Sequence, residues 1–397
     1  MMIRLAAHEQ CTGCMACKNA CPRDVIKIVE DTDGFFFPEI DADRCVQCGK
    51  CESCCPENLK VIEDKKTFAA YAAVTSDKNL LKESASGGAF AEIAKYVLKQ
   101  GGVVFGATYV GKAAVKHISV KDINNLHRLQ GSKYVQSEIG TTYREAEEYL
   151  QQGKMVLFSG TPCQIAGLKA YLKKDYSTLY TIDLICHGVP NEKFFQSYIN
   201  YIEDKKKIRM TKLPFRDKSK LGMNCEMALL YEDARGKIKR KRMTYKSSFY
   251  YYFFMMGYIY RSSCYSCRYA NLSRKSDLTI GDYWGIEKVN TEVDYKNGVS
   301  VILVNTERGY EILRHCELHL WETSVEDAVR YNASAVRPTK LSPQREEIFK
   351  IAREGDVSAL ECYYKKEVGL MGRCIDYIDD RIPFYLRKII KRLLGKY

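Results

Sequence analysis

Apolar residues follow two different spacings between about residues 69 and 201. Short apolar runs, typical of buried strands, alternate with stretches that repeat every three or four residues, typical of helices. The pattern predicts strands over Ala69–Val74, Val103–Val110, Val115–Val120, Met155–Ser159 and Leu179–Cys186. It predicts helices over Ala89–Leu98, Tyr143–Leu150, Ile165–Leu172 and Lys193–Tyr201. This alternation of strands and helices indicates an α/β or α+β domain.

The flanking regions are less regular. Near the N-terminus, Val25–Val29 and Phe35–Ile40 flank the turn residues Asp31–Gly34 and predict a hairpin. Beyond about residue 210 the pattern predicts a second hairpin, a buried aromatic helix and two strands, namely Met227–Tyr231 with Lys237–Thr244, Ser247–Tyr260, Leu278–Asp282 and Val299–Asn305. After about residue 330 the chain becomes charged and is expected to be mainly helical.

Length and composition limit the class of protein. A chain of 397 residues with 46% hydrophobic content can fill the cores of two or three domains, and it has no apolar run long enough to span a membrane. The net charge of +13 would suit nucleic acid, an anionic membrane, an acidic redox protein or a phosphorylated substrate. No zinc-finger, helix-turn-helix or RNA-binding signature accompanies the charge, so we expect no nucleic-acid partner.

Two cysteine runs near the N-terminus share one spacing. The pattern C-x-x-C-x-x-C-x-x-x-C-P occurs twice, and each cysteine of the second run lies 34 residues after its counterpart. Bacterial two-cluster ferredoxins have this spacing, and each of their 4Fe–4S clusters takes three cysteines from one run and the fourth from the other. The predicted ligand sets are Cys11, Cys14, Cys17 and Cys55 for one cluster, and Cys45, Cys48, Cys51 and Cys21 for the other.

Disulfides and zinc fit these eight cysteines less well than iron–sulfur clusters do. Disulfides would need a secreted context, and the residues before Cys11 contain no apolar core long enough for a secretion signal. Zinc ligands usually come as two separated pairs. Cys54 falls outside the repeat and is not expected to be a ligand. We therefore predict a protein of the reducing cytoplasm that transfers single electrons.

Four further cysteines occupy positions that suit cluster chemistry. Cys163 follows one predicted strand and Cys186 ends the next. Because strand ends of an open α/β sheet gather at one edge, these two can meet there. Cys264 and Cys267, in a C-x-x-C pair, would complete the four thiolates of a third 4Fe–4S cluster. From spacing alone, half a zinc site, a redox dithiol and buried structural cysteines stay open as alternatives.

A glycine-rich segment precedes the first predicted helix of the α/β region. Backbone N–H groups at a helix start form an anion or phosphate site when glycines such as Gly87 and Gly88 permit close approach. The same segment, with Ser86, could also be an ordinary helix cap. Lys133, followed by Tyr134, could face a cofactor phosphate or simply be exposed to solvent.

Seven short segments together resemble the coenzyme F420 hydrogenase/dehydrogenase beta-subunit family. They are Ser86–Phe90, Gly131–Val135, Gly160–Gln164, Cys186–Pro190, Cys264–Cys267, Arg274–Asp277 and Gly281–Gly285. They span roughly residues 68–330, and a two-cluster ferredoxin unit is a common companion in the family. The family includes flavoproteins that pass electrons between iron–sulfur clusters and a deazaflavin, and relatives that reduce chlorophyll precursors. It also includes short bacterial members associated with polysaccharide synthesis.

The resemblance implies FAD in the α/β domain, beside a cluster held by Cys163, Cys186, Cys264 and Cys267. The candidate cofactor-binding residues are Ser86, Gly87, Gly88, Lys133, Tyr134 and Arg216. His187 is the candidate catalytic residue, as a proton donor near the flavin; a hydrogen bond to the cluster is its structural alternative. Arg274 and Asp277 are expected to form a structural pair.

We therefore predict an iron–sulfur flavoprotein oxidoreductase. Its flavin would connect clusters that carry one electron at a time with a small-molecule substrate that exchanges two electrons. The resemblance implies polysaccharide synthesis as one context for this reaction. The electron donor would be a redox partner protein or another donor at the potential of ferredoxins. The alternatives are a non-catalytic ferredoxin-like relay subunit of a larger complex, with clusters but no flavin, and a zinc-stabilised binding protein. The sequence does not identify the substrate or the direction of electron flow.

The predicted fold class is an α+β and α/β multidomain chain. A small ferredoxin-like unit, residues 1–62, precedes a mixed α/β flavin-binding region. That region is divided into a first part, residues 68–150, and a second part with the third cysteine set, residues 151–330. Residues 331–397 form a basic helical tail.

The end of the tail predicts a basic amphipathic helix. Pro383–Lys396 places Leu386, Ile389, Ile390, Leu393 and Leu394 at helical spacing, with basic residues between them. A helix of this kind can lie on an anionic membrane surface. We favour packing of its apolar stripe on the protein's own core, since most amphipathic helices face a core.

Overall fold

The computed structural model describes residues 3–59, 67–218, 226–233 and 235–381. Its strands are β1 (Ile26–Glu30), β2 (Phe36–Ile40), β3 (Ala69–Thr75), β4 (Val103–Val110), β5 (Ala114–Val120), β6 (Val156–Gly160), β7 (Leu179–Leu184), β8 (Arg209–Lys212), β9 (Glu226–Glu232), β10 (Ile238–Thr244), β11 (Leu278–Asp282), β12 (Ser300–Val304) and β13 (Leu318–Thr323).

The α-helices are α1 (Ala16–Ala20), α2 (Lys50–Ser53), α3 (Lys78–Glu83), α4 (Ala89–Lys99), α5 (Thr142–Gln151), α6 (Pro162–Leu172), α7 (Glu192–Lys206), α8 (Phe249–Met255), α9 (Ile286–Val289), α10 (Glu307–Arg314), α11 (Val325–Val329), α12 (Gln344–Arg353) and α13 (Val357–Arg381). The last of these is interrupted at Gly369, whose backbone is not helical. Short 3₁₀ turns span Ile123–Arg128, Tyr245–Ser247, Ser262–Ser266 and Ala333–Ala335.

One eight-stranded mixed sheet, in the order β13-β3-β12-β11-β7-β6-β4-β5, forms the centre of the molecule. Its neighbouring strands β11, β7, β6 and β4 are parallel, and the other pairings are antiparallel. Helices cover both faces, which explains why β6 and β12 are almost continuously apolar and almost entirely buried. The carboxyl ends of the parallel strands therefore meet at one edge of the sheet.

A second layer packs against this edge. The antiparallel sheet β10-β9-β8 shares an aromatic core with α7, α8, α12 and the first half of α13. The predicted helix over Ser247–Tyr260 is shorter in the structure, because α8 ends at Met255 and Gly257 follows with a φ of +70°. The chain then turns back, and the Tyr260 hydroxyl donates a hydrogen bond of 2.6 Å to the Phe254 carbonyl.

The predicted α/β and α+β class is confirmed by this architecture. Strands from both sides of residue 150 belong to the same sheet, and the predicted domain boundaries stay predictions. The edge strands β8 and β13 were not predicted, because their alternation of exposed and buried residues is weak. Within the described part of the chain, no helix has the length and apolarity needed to cross a membrane. The amphipathic segment Pro383–Lys396 lies outside the described residues.

The N-terminal unit is fastened to the main sheet by an arginine of α5. Arg144 donates hydrogen bonds to the carbonyl oxygens of Lys18, Asn19 and Cys21 at 2.9, 2.6 and 2.9 Å. These carbonyls lie at the end of α1, where a cation is favourable because helix-terminal carbonyls lack partners within the helix. The contact holds the first cysteine run against the α/β domain.

Replacing Arg144 with alanine should weaken this attachment by about 2 kcal/mol, because three carbonyls lose a charged donor. We expect a lower urea midpoint for the loss of cluster absorbance than in the unaltered protein. The matched control is Arg314→Ala, since Arg314 is an exposed arginine of α10. Equal midpoints for the two variants would contradict the role given to Arg144.

Candidate functional site

The eight cysteines of the N-terminal unit line two small cavities. Cys11, Cys14, Cys17 and Cys55 line the first, together with Ala6, Pro38 and Pro56. Cys21, Cys45, Cys48 and Cys51 line the second, together with Ile3, Val25 and Ile40. We call these groups the inner and the outer thiol set. Each contains three cysteines of one run and the fourth of the other, which is the grouping predicted from the spacing.

The two runs have the same backbone as well as the same spacing. Gly13 and its counterpart Gln47 have φ values of +68° and +50°, and Met15 and Gly49 have values of +60° and +68°. Left-handed residues at these points turn the chain so that successive cysteines face one centre. The left-handed conformation is unusual for residues with side chains, such as Gln47 and Met15. We infer that the arrangement of the neighbouring thiols determines the backbone conformation at these two positions.

The second group of predicted cysteines converges at the carboxyl edge of the main sheet. Cys163 opens α6 directly after β6, and Cys186 follows β7. Both line one small cavity with Cys264 and Cys267, which lie in and just after the 3₁₀ turn beyond α8. We call these four residues the third thiol set. Three chain segments, separated by up to about a hundred residues, thus contribute to one cavity.

Burial makes these thiols weak acids. Burial, together with a smaller contribution from the neighbouring thiols of the set, raises the pKa of Cys163, Cys186 and Cys264 to about 12. The pKa of Cys267 is also raised, chiefly by burial. Several thiolates in one buried site would repel each other and would lack solvation, so they need adjacent cations such as the irons of a cluster.

The inner and third thiol sets are neighbours. A Cβ atom on Gly167 of α6, the helix that begins beside Cys163, would lie 3.0 Å from the Cys14 sulfur. Thr12 lines the cavities of both sets. The Tyr269 hydroxyl, in the wall of the third set, donates a hydrogen bond of 2.6 Å to Glu57, in the wall of the inner set. These residues connect the inner set with the third set, and none of them lines the cavity of the outer set.

A much larger cavity, about 560 Å³, adjoins the third thiol set. Cys163, Cys186 and His187 line both cavities, so the thiols lie in a shared wall. The walls come from the start of α4, the segment 129–137, the ends of β6, β7 and β11, and α8. Position and size are those of a ligand site in an open α/β sheet, where ligands bind beyond the carboxyl ends of the strands.

The glycine-rich segment forms one side of this cavity, and its glycines are required by packing. A Cβ atom on Gly87 would lie 2.1 Å from the Ala73 carbonyl oxygen and 2.5 Å from the Ser300 nitrogen. Gly88 has a φ of +88° and caps α4, and the first residues of that helix line the cavity. The Ser86 hydroxyl donates a hydrogen bond of 2.8 Å to the Val299 carbonyl.

Lys133 and Tyr134 also line the cavity, and both side chains contact other groups of the protein. The Lys133 ammonium donates to the carbonyls of Arg128, Leu129 and Gln130 at 3.3, 2.9 and 2.8 Å. Burial lowers its pKa to about 7. The Tyr134 ring stacks on Phe254 with centroids 4.2 Å apart. Lys133 therefore holds the wall in shape, and its contact with a phosphate stays a prediction.

Arg216 and His187 also line the cavity. Arg216 forms an ion pair with Asp282 and lies over the Trp284 ring, 5.0 Å from its centroid. Burial is the main reason for the lowered pKa of His187, and the positive charge of Arg216 lowers it further while Asp282 opposes the shift. Asp282, the last residue of β11, and Trp284 belong to the segment Gly281–Gly285 that carried the resemblance, although neither was named as a site residue.

The expected pair between Arg274 and Asp277 is wrong. Asp277 instead accepts hydrogen bonds of 2.8 and 2.6 Å from the backbone and hydroxyl of Thr181, and its other oxygen accepts one from Thr306. Arg274 lies 3.8 Å from the fully buried Asp183 and lines the cavity of the third thiol set. The register between β7 and β11 explains why Arg274 does not pair with Asp277, because it brings Asp183 of β7 close to Arg274.

Two basic residues near the site were not predicted. Lys218 donates to the carbonyls of Leu81 and Ser86 at 3.1 and 2.5 Å, and burial lowers its pKa to about 8. It lies in a charged stretch that gave no sign of burial. His117 lines the cavity from β5 and binds the Ser159 carbonyl through Nε2 at 2.9 Å, and burial lowers its pKa to about 4. An isolated histidine in a strand carried no signal.

Comparison with known proteins agrees with the two parts of the site. Residues 10–59 match the 4Fe–4S dicluster domain, and residues 153–327 match the family model for the C terminus of the beta subunit of coenzyme F420 hydrogenase/dehydrogenase. The two matches define an iron–sulfur, oxidoreductase-like protein. Residues 153–327 are therefore similar to the beta subunit of coenzyme F420 hydrogenase/dehydrogenase, and the resemblance inferred from the motifs is confirmed.

No curated protein matches the chain. Among solved structures, the xenon-derivatised F420-reducing NiFe hydrogenase complex from Methanosarcina barkeri contains a similar chain. The sequence identity is 17%, the TM-score is 0.44, and the match covers 79% of this chain and 97% of that one. A likeness at this level carries no argument about function.

Proposed function

We propose that this protein is an iron–sulfur flavoprotein oxidoreductase in which a third 4Fe–4S cluster connects the dicluster domain with a flavin. The observation that carries this proposal is the position of the third thiol set. Cys163 and Cys186 line both their own cavity and the 560 Å³ cavity, while Thr12, between two cysteines of the first run, lines the third-set cavity from the other side. The proposed cofactor positions therefore form an unbroken series.

The third thiol set fits a cluster in its donor chemistry. Four cysteines face one cavity, and four thiolates are the ligand set of a 4Fe–4S cluster. Polar groups also reach the sulfurs, since the Thr161 hydroxyl lies 3.1 Å from the Cys163 sulfur. Hydrogen bonds to cluster sulfurs and nearby charges such as Arg274 tune the reduction potential. These features support a redox cluster rather than four structural cysteines.

The large cavity fits a flavin nucleotide in size and in charge. The start of α4 presents backbone N–H groups and the positive end of the helix dipole, which favour a phosphate. In the lining of the same cavity, Arg216 supplies a guanidinium, and Tyr134 and Trp284 supply aromatic surface. A bound flavin would exchange two electrons with a substrate and one at a time with a cluster. The protein's part is to bind it beside Cys163 and Cys186 and to exclude water.

His187 is the proposed proton-handling residue, because it lies in the wall between the third thiol set and the large cavity. Its lowered pKa leaves the ring uncharged at neutral pH. It would therefore act through a neutral ring N–H, as a donor toward the cofactor or the substrate, and not as a cation. Its position beside Cys186 also suits a hydrogen bond to the cluster.

The outer thiol set is the proposed contact point for an electron donor. Cys48 is exposed, and Val46 beside it is 56% exposed, whereas the inner and third sets are more deeply placed. A donor at the potential of ferredoxins, or a redox partner protein, would meet the protein here. A small-molecule substrate would enter the large cavity. A polysaccharide-synthesis setting rests on the resemblance alone.

Cofactor analysis of protein purified without oxygen tests this proposal directly. We expect about one flavin and about twelve irons per chain, from four irons in each of three clusters. Acid-labile sulfide should match the iron, and the flavin should be identified after extraction by chromatography against FAD and FMN.

The alternatives give different results in the same measurement. About eight irons and no flavin would indicate the electron-relay subunit and would overturn the flavoprotein proposal. Zinc without acid-labile sulfide would contradict both. Flavin with about eight irons would retain the flavoprotein but remove the third cluster.

A further inference from the structure

Arg261 lies buried at the junction between the N-terminal unit and the α/β domain. Its side chain is among the largest fully buried ones, with 1% of the residue exposed. Its Nε donates a hydrogen bond of 2.6 Å to the Cys11 carbonyl, and its Nη1 donates one of 3.3 Å to the Gln136 side chain. The guanidinium lies 4.0 Å from the centre of the Phe37 ring. Its second terminal nitrogen, Nη2, is buried and has no hydrogen-bond partner among the residues that the structure describes.

This arginine differs from the other buried arginines in lacking a carboxylate partner. Arg216 pairs with Asp282, Arg274 lies 3.8 Å from Asp183, and Arg345 lies 3.3 Å from Asp33. No aspartate or glutamate of the described ranges forms an ion pair with Arg261. A guanidinium stays charged in proteins, and a buried charge without a counter-charge is strongly unfavourable. The site therefore requires a negative group that the side chains themselves do not provide.

Arg261 is placed between two thiol sets. On one side it contacts the loop of the inner set, where a Cβ atom on Gly13 would lie 3.2 Å from its Nη1. On the other side it begins the turn of the third set, and the Cys264 N–H donates a hydrogen bond of 2.9 Å to its carbonyl. Clusters bound by four thiolates are anionic, so either would supply the absent counter-charge.

We propose that Arg261 is the shared counter-charge of the clusters held by the inner and third thiol sets, and that it raises their reduction potentials. For the third set this rests on the proposed function, whereas the inner set belongs to the dicluster domain. A reductant such as dithionite gives the cluster one electron and is itself oxidised, with no bond or proton changed at the cluster. The reduced cluster carries one more negative charge, which a fixed cation in a poorly solvated site stabilises.

The test is a redox titration followed by electron paramagnetic resonance on the anaerobically purified holoprotein. In Arg261→Gln we expect the reduced fraction of the nearby clusters to fall at least tenfold at a fixed potential, a shift of about 59 mV or more to lower values for one electron. Arg261→Lys, which keeps the charge, should retain most of the original potential. The matched control is Arg308→Gln, since Arg308 pairs with Asp175 near the start of β7, at the opposite edge of the sheet from Cys186.

Each outcome decides the proposal. If Arg261→Gln keeps its irons and its potentials equal those of Arg308→Gln, Arg261 is not a counter-charge. If Arg261→Gln loses iron, the Arg261→Lys variant separates the two explanations. Retained clusters in that variant support the need for a cation at this position. Their loss would show that the shape of the arginine side chain, and not its charge, is required. The iron content of the unaltered protein separates this result from the proposed function, because with about eight irons the inner cluster can still report the shift.

Discussion

Replacing Cys163 or Cys264 with serine should remove roughly four irons per chain and leave the two clusters of the N-terminal unit in place. The reason is structural, since both cysteines line the third-set cavity and neither lines the inner or outer one. A hydroxyl is a poor replacement for a thiolate ligand of iron. Reduction of the flavin by a donor at the potential of ferredoxins should slow sharply, because the proposed connection between the inner set and the large cavity is lost.

The control for this experiment is Cys316→Ser. Cys316 is a partly buried thiol that donates to the Ile312 carbonyl at 3.2 Å and lines none of the three cavities. Iron and labile sulfide should therefore be unchanged in this variant. If Cys163→Ser and Cys264→Ser keep as much iron as the control, the third thiol set is structural and the assignment fails.

Replacing Gly87 with alanine should destabilise the protein by about 3 kcal/mol and abolish flavin binding. The added Cβ would lie 2.1 Å from the Ala73 carbonyl and 2.5 Å from the Ser300 nitrogen. Both atoms are backbone atoms of the main sheet, so neither can rotate away. The loop must then move, and the start of α4 moves with it. Urea midpoints would measure the stability, and fluorescence of the extracted flavin would measure binding.

Gly106→Ala is the matched control for steric crowding. Gly106 lies in β4, and its added Cβ would first meet the Ser159 hydroxyl at 3.0 Å, an atom that can rotate. We expect a loss of about 1 kcal/mol and retained flavin. A Gly87→Ala variant as stable as this control, with normal flavin content, would show that the loop does not shape the cofactor site.

The spacing of the cysteines predicted which four thiols group in the inner set and which in the outer set. This was possible because all ligands of a dicluster unit lie in two short runs. Left-handed residues such as Met15 turn each run locally, and little else is needed to group its thiols. The third set was harder, since Cys163, Cys186 and Cys264 lie far apart in sequence. That they could meet followed from strand ends at one edge of a parallel sheet, a rule about topology and not about spacing.

Partner choice within the domain could not be read from the chain. Arg274 and Asp277 looked like a pair because they are three residues apart, yet the sheet brings Asp183 to Arg274 and Thr181 to Asp277. Lys133 was predicted either to face a phosphate or to be exposed; the structure adds three carbonyl partners to its ammonium, and the phosphate contact stays a prediction. Such contacts depend on which backbone groups remain unpaired after folding, and no local pattern encodes that.

The sequence by itself determined the class of protein. The evidence was the cysteine repeat, the alternation of strands and helices, and the motifs of the beta-subunit family. All three are local patterns, which can be recognised without a structure. Tertiary structure alone decided that Thr12 lines the third-set cavity and that Cys14 lies against α6, the helix that carries Cys163. It also decided that Arg261 is buried between the two sets with no carboxylate partner among the described residues. These facts arise when distant segments close into one core, where desolvation makes every unpaired charge and every extra atom count.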